Sequence, residues 1–270
     1  MLLAHSSLVR ARPALFDLYG DHLRARGGQA QVAALVRLLA ALGIAAPAVR
    51  TAISRMVRQG WLEPVRLTAG PGYRLTAKGT SRLDEAAARV YRTRSEPWDG
   101  HWHLLVITPP DGRTARERMA GGLRFLGYGE LDATTWLAPR PGGDAVDALL
   151  ADVDATAAAF RATHLGDPAR LVRRAWDLDA LGHRYAAFVA DYAPRTARVT
   201  DSSGEEEALA VRSDLVHTWR NFLFDDPALP EELLPPDWAG RKAAEYFDAE
   251  AERLLPAASR FIDACLRVLP

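Results

Sequence analysis

The residues of this chain best suited to chemistry are arginines and short hydroxyl side chains spaced along one predicted helix, between Pro47 and Gly60. One stripe of its 3.6-residue repeat consists of Arg50, Thr51, Ser54, Arg55 and Arg58. Arginine can donate two hydrogen bonds to guanine or pair with phosphate, and short hydroxyl side chains allow close approach of the backbone. The stripe predicts a surface that contacts the major groove of DNA. An ordinary solvated helix face is the alternative.

The elements that must position this stripe are predicted from apolar spacing. The opposite stripe of the same helix is apolar and consists of Val49, Ile53, Met56 and Val57. The preceding helix repeats the pattern with Val32, Leu35, Val36, Leu39 and Leu42. Gly43 follows where a left-handed cap would end that helix, and Pro47 stands where a missing amide proton costs nothing. The pattern predicts a helix-turn-helix with its turn at residues 43–46, preceded by a further helix in RPALFDLYGDHL.

A β-hairpin is predicted directly after these helices. The segment WLEPVRLTAGPGYRLTAKG contains two short extended stretches around a Gly-Pro-Gly turn, as in the wing of a winged helix. Arg66, Arg74 and Lys78 would neutralise phosphates there and add affinity without reading sequence. The next segment, SRLDEAAARVYR, predicts a helix that leads into a second module.

The charge of the chain is divided by position, although its formal total is zero. The first 95 residues carry 15 arginine and lysine residues against five acids, whereas the rest carries 19 bases against 29 acids. A localised basic patch is expected of a protein that binds nucleic acid. The acidic remainder of the chain argues against non-specific binding driven by an overall positive charge.

The composition also indicates the compartment. A single cysteine, Cys265, excludes an internal disulfide and a cysteine metal cluster, and its amphipathic segment predicts a core thiol. No secretory pattern is found, and Arg37 interrupts the longest apolar stretch, which is too short to span a bilayer. We expect a cytoplasmic protein that does not enter the membrane.

The middle of the chain predicts a small α+β module. The segments HWHLLVI, TARERMAGGLRFLG, GYGEL, TTWLAPR, DAVDALLADVDA and AFRATHL approximate the order βαββαβ of a ferredoxin-like fold. His101 and His103 would project from one face of the first strand, either as a metal pair or as hydrogen-bonded structural histidines. The second interpretation is favoured, because no further ligand is suitably spaced.

From Asp167 onward the chain predicts helices, including a final amphipathic pair over AAEYFDAEAERLLPAASRFIDACLRVL. Arg170, Arg173 and Arg174 form either a solvated face or an anion-binding cluster. Several aromatic side chains at helical spacing suit either a core or an apolar slot: Trp176, Tyr185, Phe188, Trp219 and Phe222.

The common enzyme signatures are absent: there is no HExxH, P-loop, dinucleotide-binding glycine motif or GxSxG elbow. No catalytic residue, metal or cofactor is predicted. A metal-dependent nuclease using the central module, with Asp111 as a candidate acid, and an adaptor whose basic head binds an acidic partner are the competing hypotheses.

Three stretches of the chain carry a family resemblance. They are LFDLYGDHLRARGG with LVRLLAALGIAAPAVRTAISRMVRQGWL and YRLTAKG, then WDGHWHLLVI with LRFLGYGELDATTWLAPR, and finally LVHTWRNFLFDDPALPEELLPPDWAG. In this order they resemble the PaaX-type repressors of bacterial phenylacetate catabolism. The resemblance implies a winged-helix reader, a ferredoxin-like module and a helical C-terminal domain. It also implies a homodimer on palindromic operator DNA, released by an aryl-CoA thioester. This chain departs from the family in its wing, because LTAGPG carries no basic residue.

The resemblance turns the ambiguous arginines into effector candidates, because coenzyme A brings several phosphates. The predicted effector-binding residues are Arg170, Arg173, Arg174, Trp176 and Trp219. The central module resembles the small nucleases of CRISPR spacer acquisition, in which an acid ends the first strand. Here Thr108 stands at that point and Asp111 lies beyond two prolines, so nuclease activity is disfavoured.

The sequence therefore predicts an α+β, mostly helical protein. Its predicted domains are a winged helix-turn-helix at 1–94, a ferredoxin-like module at 95–166 and a helical domain at 167–270. We expect a ligand-responsive transcriptional repressor of aromatic-acid catabolism. An activator with the same architecture is the alternative.

Overall fold

The computed structural model describes residues 10–68, 70–90, 97–200, 202–222 and 224–267. It is an α+β structure, mostly helical, with two small sheets. The chain forms two compact units. Unit 1 comprises Met1–Thr93, Val189–Arg220 and Ala244–Pro270, and unit 2 comprises Arg94–Phe188 and Asn221–Ala243. The predicted domain limit at 94/95 lies outside the described residues, and the three-domain division stays a prediction.

The N-terminal helices of unit 1 lie where the apolar spacing places them. They are α1 (Ala11–Leu18), α2 (Val32–Ala40) and α3 (Ala46–Arg58). The chain continues from α1 through a π-type turn at Tyr19–Leu23 and a 3₁₀ turn at Arg24–Arg26. Gly43 has a φ of 74° in the turn between α2 and α3, which confirms its capping role, since a side chain disfavours this conformation.

The first sheet contains the predicted hairpin and one strand that was not predicted. Its strands are β1 (Gln29–Gln31), β2 (Leu62–Leu67) and β3 (Gly70–Leu75), in the order β1-β3-β2. The prediction of a Gly-Pro-Gly turn was wrong, because residues 70–72 lie inside β3. Gly72 is needed there since a Cβ would come within 2.6 Å of the Ala30 carbonyl oxygen on β1. Helix α4 (Ala77–Val90) follows, and the end of the predicted connector lies outside the described residues.

The second sheet, in unit 2, has the predicted βαββαβ order. Its elements are β4 (Trp102–Thr108), α5 (Arg113–Phe125), β5 (Gly129–Glu130), β6 (Thr135–Ala138), α6 (Asp144–Asp152) and β7 (Thr156–Ala162). The strands lie in the order β5-β6-β4-β7 and all their pairings are antiparallel. Helices α5 and α6 cover one face, where Leu105, Ile107 and Leu123 are buried with Trp136.

The C-terminal part of the chain is helical, as predicted. It forms α7 (Pro168–Ala175), α8 (Leu178–Thr196), α9 (Glu205–Phe222) and α10 (Ala239–Leu266). The prediction of a final helix pair was wrong, because α10 continues through Pro256. Leu254 and Ala258 on either side of this proline are both buried, so packing on one continuous stripe compensates for the amide proton that proline lacks.

The core of unit 1 joins residues that are distant in sequence. Leu15 and Tyr19 lie beside Ile53 and Met56 of α3, and Ile262 of α10 completes the cluster. Cys265 belongs to the same core, which confirms the prediction of a core thiol. Within the part of the chain that the structure describes, no helix is long and apolar enough to cross a membrane.

Candidate nucleic-acid interface

Helix α3 has one buried and one exposed face, as its sequence predicts. Val49, Ile53 and Met56 are buried and hold the helix against α1 and α2. The predicted polar stripe is exposed at every position: Arg50, Thr51, Ser54, Arg55 and Arg58. The orientation of α3 is therefore set by its apolar stripe, and its polar stripe faces solvent.

The arginines of this stripe keep their hydrogen-bonding capacity. Over the described ranges, Arg50, Arg55 and Arg58 form no ion pair. The Thr51 hydroxyl donates to the Pro47 carbonyl oxygen at 3.0 Å, which is a local bond within the first turns of α3. Three unpaired guanidinium groups on one helix face suit phosphate or guanine better than an internal structural role.

The hairpin is fastened to the end of α3 by polar contacts. The Thr76 hydroxyl donates to the Gly60 carbonyl oxygen at 2.6 Å, and Lys78 Nζ donates to the Gln59 carbonyl oxygen at 3.0 Å. The Tyr19 hydroxyl donates to the Tyr73 carbonyl oxygen at 2.9 Å. The Thr76 bond ties the residue after β3 to the end of α3, the Lys78 bond ties α4 to the same place, and the Tyr19 bond ties β3 to the turn after α1.

The three basic residues predicted for the hairpin differ in their surroundings. Arg74 pairs with Glu63 directly across the two strands, with 2.6 Å between Nε and Oε1. Lys78 lies in the first turn of α4 and not in the hairpin as predicted; it is exposed but already donates one bond to the end of α3. Arg66 is exposed and makes no ion pair within the described part of the chain. Arg66 is therefore the hairpin base with the greatest freedom to bind a phosphate.

A shallow cleft beside the stripe was not predicted from the sequence. It has a volume of about 460 Å³ and is lined by Gln31, Val32, Arg50 and Pro71, among others. The cleft forms because β1 pairs with β3 and brings the start of α2 next to the hairpin. Arg50 of α3 therefore shares one cleft with the start of α2 and with Pro71 of the hairpin.

Sequence reasoning also missed a buried ionic network that holds α1 to α9. Arg212 pairs with Asp21 and donates from Nε to the Ala251 carbonyl oxygen at 2.9 Å. Arg220 pairs with Asp17, and His217 Nδ1 lies 2.8 Å from the same carboxylate. Burial lowers the pKa of both guanidinium groups to about 10, which leaves them charged at neutral pH. Since α1 packs on α3, the network fixes the base of the helix that carries the stripe.

The predicted effector residues do not share one environment. Arg170, Arg173 and Arg174 are exposed on α7 in unit 2, and Trp176 stacks on Trp102 at 6.1 Å between ring centroids. Trp219 belongs to unit 1, where it is buried and stacks on Phe247 at 4.7 Å. The packing of Trp219 favours its interpretation as a core residue, and the effector assignment stays a prediction.

The two histidines of the central module have hydrogen-bonding partners. His103 Nδ1 lies 2.7 Å from the Tyr128 hydroxyl, and His101 Nδ1 lies 2.9 Å from the Asp99 carbonyl oxygen. Asp111 is exposed in the bend between β4 and α5. In the described residues, no group of three histidine, cysteine or acidic side chains is placed to hold a metal. The structural interpretation of His101 and His103 therefore has a geometric basis.

The N-terminal part of the chain presents the exposed arginines of α3 beside a short hairpin. This arrangement makes it a candidate DNA-binding module. Comparisons with known proteins identify the family. Three family models match in succession: "PaaX-like protein" at residues 10–79, "PaaX protein central Cas2-like domain" at 95–172, and "PaaX-like protein C-terminal domain" at 176–264. The chain belongs to the PaaX-like family.

Two relatives extend over most of the chain. The transcriptional repressor PaaX of Escherichia coli is 32% identical over 256 residues, which are 91% of this chain and 81% of that protein. An uncharacterized protein of Mycobacterium tuberculosis, Rv0674, has a similar solved structure with a TM-score of 0.65 and 25% identity. That match covers 96% of this chain and 99% of the other.

Proposed function

We propose that this protein is a cytoplasmic transcriptional repressor that binds operator DNA through a winged helix-turn-helix and regulates the catabolism of phenylacetate-type aromatic acids. The observation that carries the proposal is the exposed stripe of α3, with three arginines that form no ion pair in the described residues. The relative named transcriptional repressor PaaX supports the biological role.

In the proposed complex, α3 enters the major groove. Arg50, Thr51, Ser54, Arg55 and Arg58 contact bases and nearby phosphates. The hairpin and the start of α4 lie along the backbone. Arg66 contacts phosphate directly, whereas Arg74 and Lys78 must first release Glu63 and the Gln59 carbonyl oxygen. A guanidinium that reads guanine contributes to specificity, whereas one that meets phosphate contributes to affinity and salt dependence.

The experiment is a binding titration with DNA from the region upstream of the protein's own gene, at near-physiological salt and with excess competitor DNA. Replacing Arg50 and Arg55 by alanine should weaken specific binding by about 1–3 kcal/mol per lost base contact. The double variant Arg113→Ala/Arg118→Ala is the matched control, because it removes the same charge from exposed positions of unit 2. Equal affinity of R50A/R55A and wild type would contradict the assignment of α3.

The proposal includes homodimerisation and release by an aryl-CoA thioester. A dimer suits a palindromic operator, because two copies of α3 would then meet two half-sites. For the ligand to release DNA it must bind the free form more tightly, by about 1.4 kcal/mol for a tenfold effect. Exposed arginines on α7, Arg170, Arg173 and Arg174, are the proposed phosphate contacts, and Trp176, which follows α7, is the candidate for the aryl group.

This part of the proposal is tested by repeating the titration with phenylacetyl-CoA and with free CoA. Release by the thioester alone supports the effector, and its weakening in Arg170→Ala/Arg173→Ala supports the site. Release that is unchanged in this variant would remove α7 from the effector site.

Sedimentation of the protein with and without operator DNA tests the dimer. A reporter gene distinguishes repression from activation.

A further inference from the structure

A cavity of about 470 Å³ opens inside unit 1, at a place to which no sequence motif pointed. Its walls come from α1, from the turn between α2 and α3, from the end of α8 and from α9. Small-molecule sites commonly have volumes of about 300–1,000 Å³. The cavity is therefore large enough for a ligand with roughly the size of a substituted benzene ring.

The lining of the cavity is mainly apolar. Leu18 of α1, Leu42 of the turn, and Ala210, Val211 and Val216 of α9 all contribute to it. Burial of apolar ligand surface against such walls stabilises a complex by about 25 cal/mol per Å². The walls of the cavity therefore favour a ligand whose main part is apolar.

The carboxylates of the lining are balanced by arginines that lie on it or beside it. Each of three carboxylates already has an arginine: Asp17 pairs with Arg220, Asp21 with Arg212, and Asp214 with Arg195. Arg198 and Glu207 are the other charged side chains of this lining, and within the described residues neither forms an ion pair.

Arg212 and Arg220 do not line the cavity themselves, but they neutralise two of its carboxylates, so the four acids of the lining are matched by four arginines on and beside it. An anion paired with Arg198 would also meet the negative charge of Glu207, and a cation paired with Glu207 would meet Arg198, so neither sign gains enough to offset its lost hydration, whereas an uncharged ligand does not meet this cost. The electrostatics of the cavity therefore favour an uncharged molecule.

We infer that this cavity is a binding site for an uncharged, mainly apolar small molecule of the size of an aryl amide. Hydrogen-bonding groups for one polar atom of the ligand are available in the lining from Ser213 and Arg198. The site differs from the exposed arginines of α7, since all of its lining residues belong to unit 1.

The position of the cavity links it to the DNA-binding surface. Its occupant touches Ala41, Leu42 and Gly43, which lead directly into α3, and also lies against Asp21, which holds α1 to α9. A ligand that prefers one arrangement of these helices shifts the population of the arrangement that binds DNA. This regulatory step rests on the proposed function, whereas ligand binding itself does not.

The test uses two probes with one skeleton, uncharged phenylacetamide and anionic phenylacetate, measured by ligand-observed NMR at pH 7. We expect phenylacetamide to bind with a dissociation constant on the order of millimolar, as suits so small a ligand. Phenylacetate should bind at least about fivefold more weakly, a difference of about 1 kcal/mol in binding free energy. Equal or tighter binding of phenylacetate would overturn the inference.

The location is tested by filling the cavity. Ala210→Phe places a ring in the space and should weaken phenylacetamide binding by about tenfold or more, with little change in melting temperature. Ala190→Phe is the matched control, because Ala190 is exposed on α8 and does not line the cavity. If A210F does not fold, Ala210→Leu fills less of the space and serves instead. Wild-type affinity in the filled variant would refute the site.

Operator titrations with saturating phenylacetamide test the coupling. The regulatory step is supported if phenylacetamide shifts the operator affinity of the wild type by about threefold or more and leaves that of A210F unchanged. In free energy, a threefold shift is roughly half of a tenfold coupling. Ligand binding without any shift overturns that step. Failure of specific operator binding without ligand would overturn the proposed function alone, because the NMR measurement of the cavity stands independently.

Discussion

Acidification from pH 7 to pH 4.5 should destabilise unit 1 through one buried imidazole, that of His22. Its side chain is 1% exposed, and Nε2 lies 3.1 Å from Asp21 Oδ2. Burial, followed by the nearby charge of Arg26, lowers the pKa of His22 from 6.5 to about 4. Asp21 would favour the imidazolium, but its own charge is compensated by Arg212.

The sign follows from proton binding. Between pH 6.5 and about pH 4 the unfolded chain binds a proton at His22 and the folded chain does not. The contribution of the neutral His22 imidazole to the free energy of unfolding is therefore fully present above pH 6.5. It is lost as the pH falls from 6.5 through about 4. A shift from 6.5 to about 4 corresponds to roughly 3 kcal/mol when complete, and to about 2 kcal/mol by pH 4.5.

The assay is urea denaturation followed by circular dichroism at pH 7 and pH 4.5, for wild type and two variants. His22→Gln keeps an amide donor towards Asp21 but does not titrate, so its loss of stability on acidification should be smaller than the wild-type loss by about 2 kcal/mol. His164→Gln is the control, because His164 is exposed, and it should behave as wild type. An equal acid-induced loss in wild type and H22Q would refute the reasoning.

Three further predictions concern stability and are checked by urea denaturation at pH 7. Arg212→Met leaves the carboxylate of Asp21, which is 10% exposed, without its arginine partner and should cost about 3–5 kcal/mol; a loss below about 1 kcal/mol would contradict a largely buried pair. Gly72→Ala places a Cβ within 2.6 Å of the Ala30 carbonyl oxygen and should cost about 1–3 kcal/mol, whereas a neutral effect would contradict the close approach of β1 and β3. Trp219→Ala removes a buried ring and should cost about 3–5 kcal/mol; wild-type stability with lost effector response would instead indicate a ligand contact.

The central module was predictable in its order but not in its packing. Alternating apolar residues located the strands, and the helical segments between them fixed the βαββαβ sequence of elements. The hydrogen bond between His103 and Tyr128 was not visible, because the two residues lie 25 positions apart. The sequence left a metal role for His103 open, and the fold supplies its partner, because Tyr128 immediately before β5 places its hydroxyl 2.7 Å from His103 on β4.

Local periodicity by itself determined the face of α3 that carries Arg50 and Arg55, and the capping position of Gly43. Both depend on interactions within one or two helical turns, which the order of residues reports directly. The mistakes concern pairing and packing. The Gly-Pro-Gly segment belongs to a strand because all three of its residues pair with β2, and Gly72 also pairs with β1. Helix α10 passes through Pro256 because buried residues continue on both sides of the proline.

The tertiary structure alone decided the ionic network and the cavity beside it. Asp21 and Arg212 are 191 residues apart, and neither has a neighbour in sequence that announces a buried partner. An amphipathic pattern shows which side chains leave water, but not which element covers them. The cavity follows for the same reason, since a space between helices is set by how their faces meet and not by the composition of any one of them.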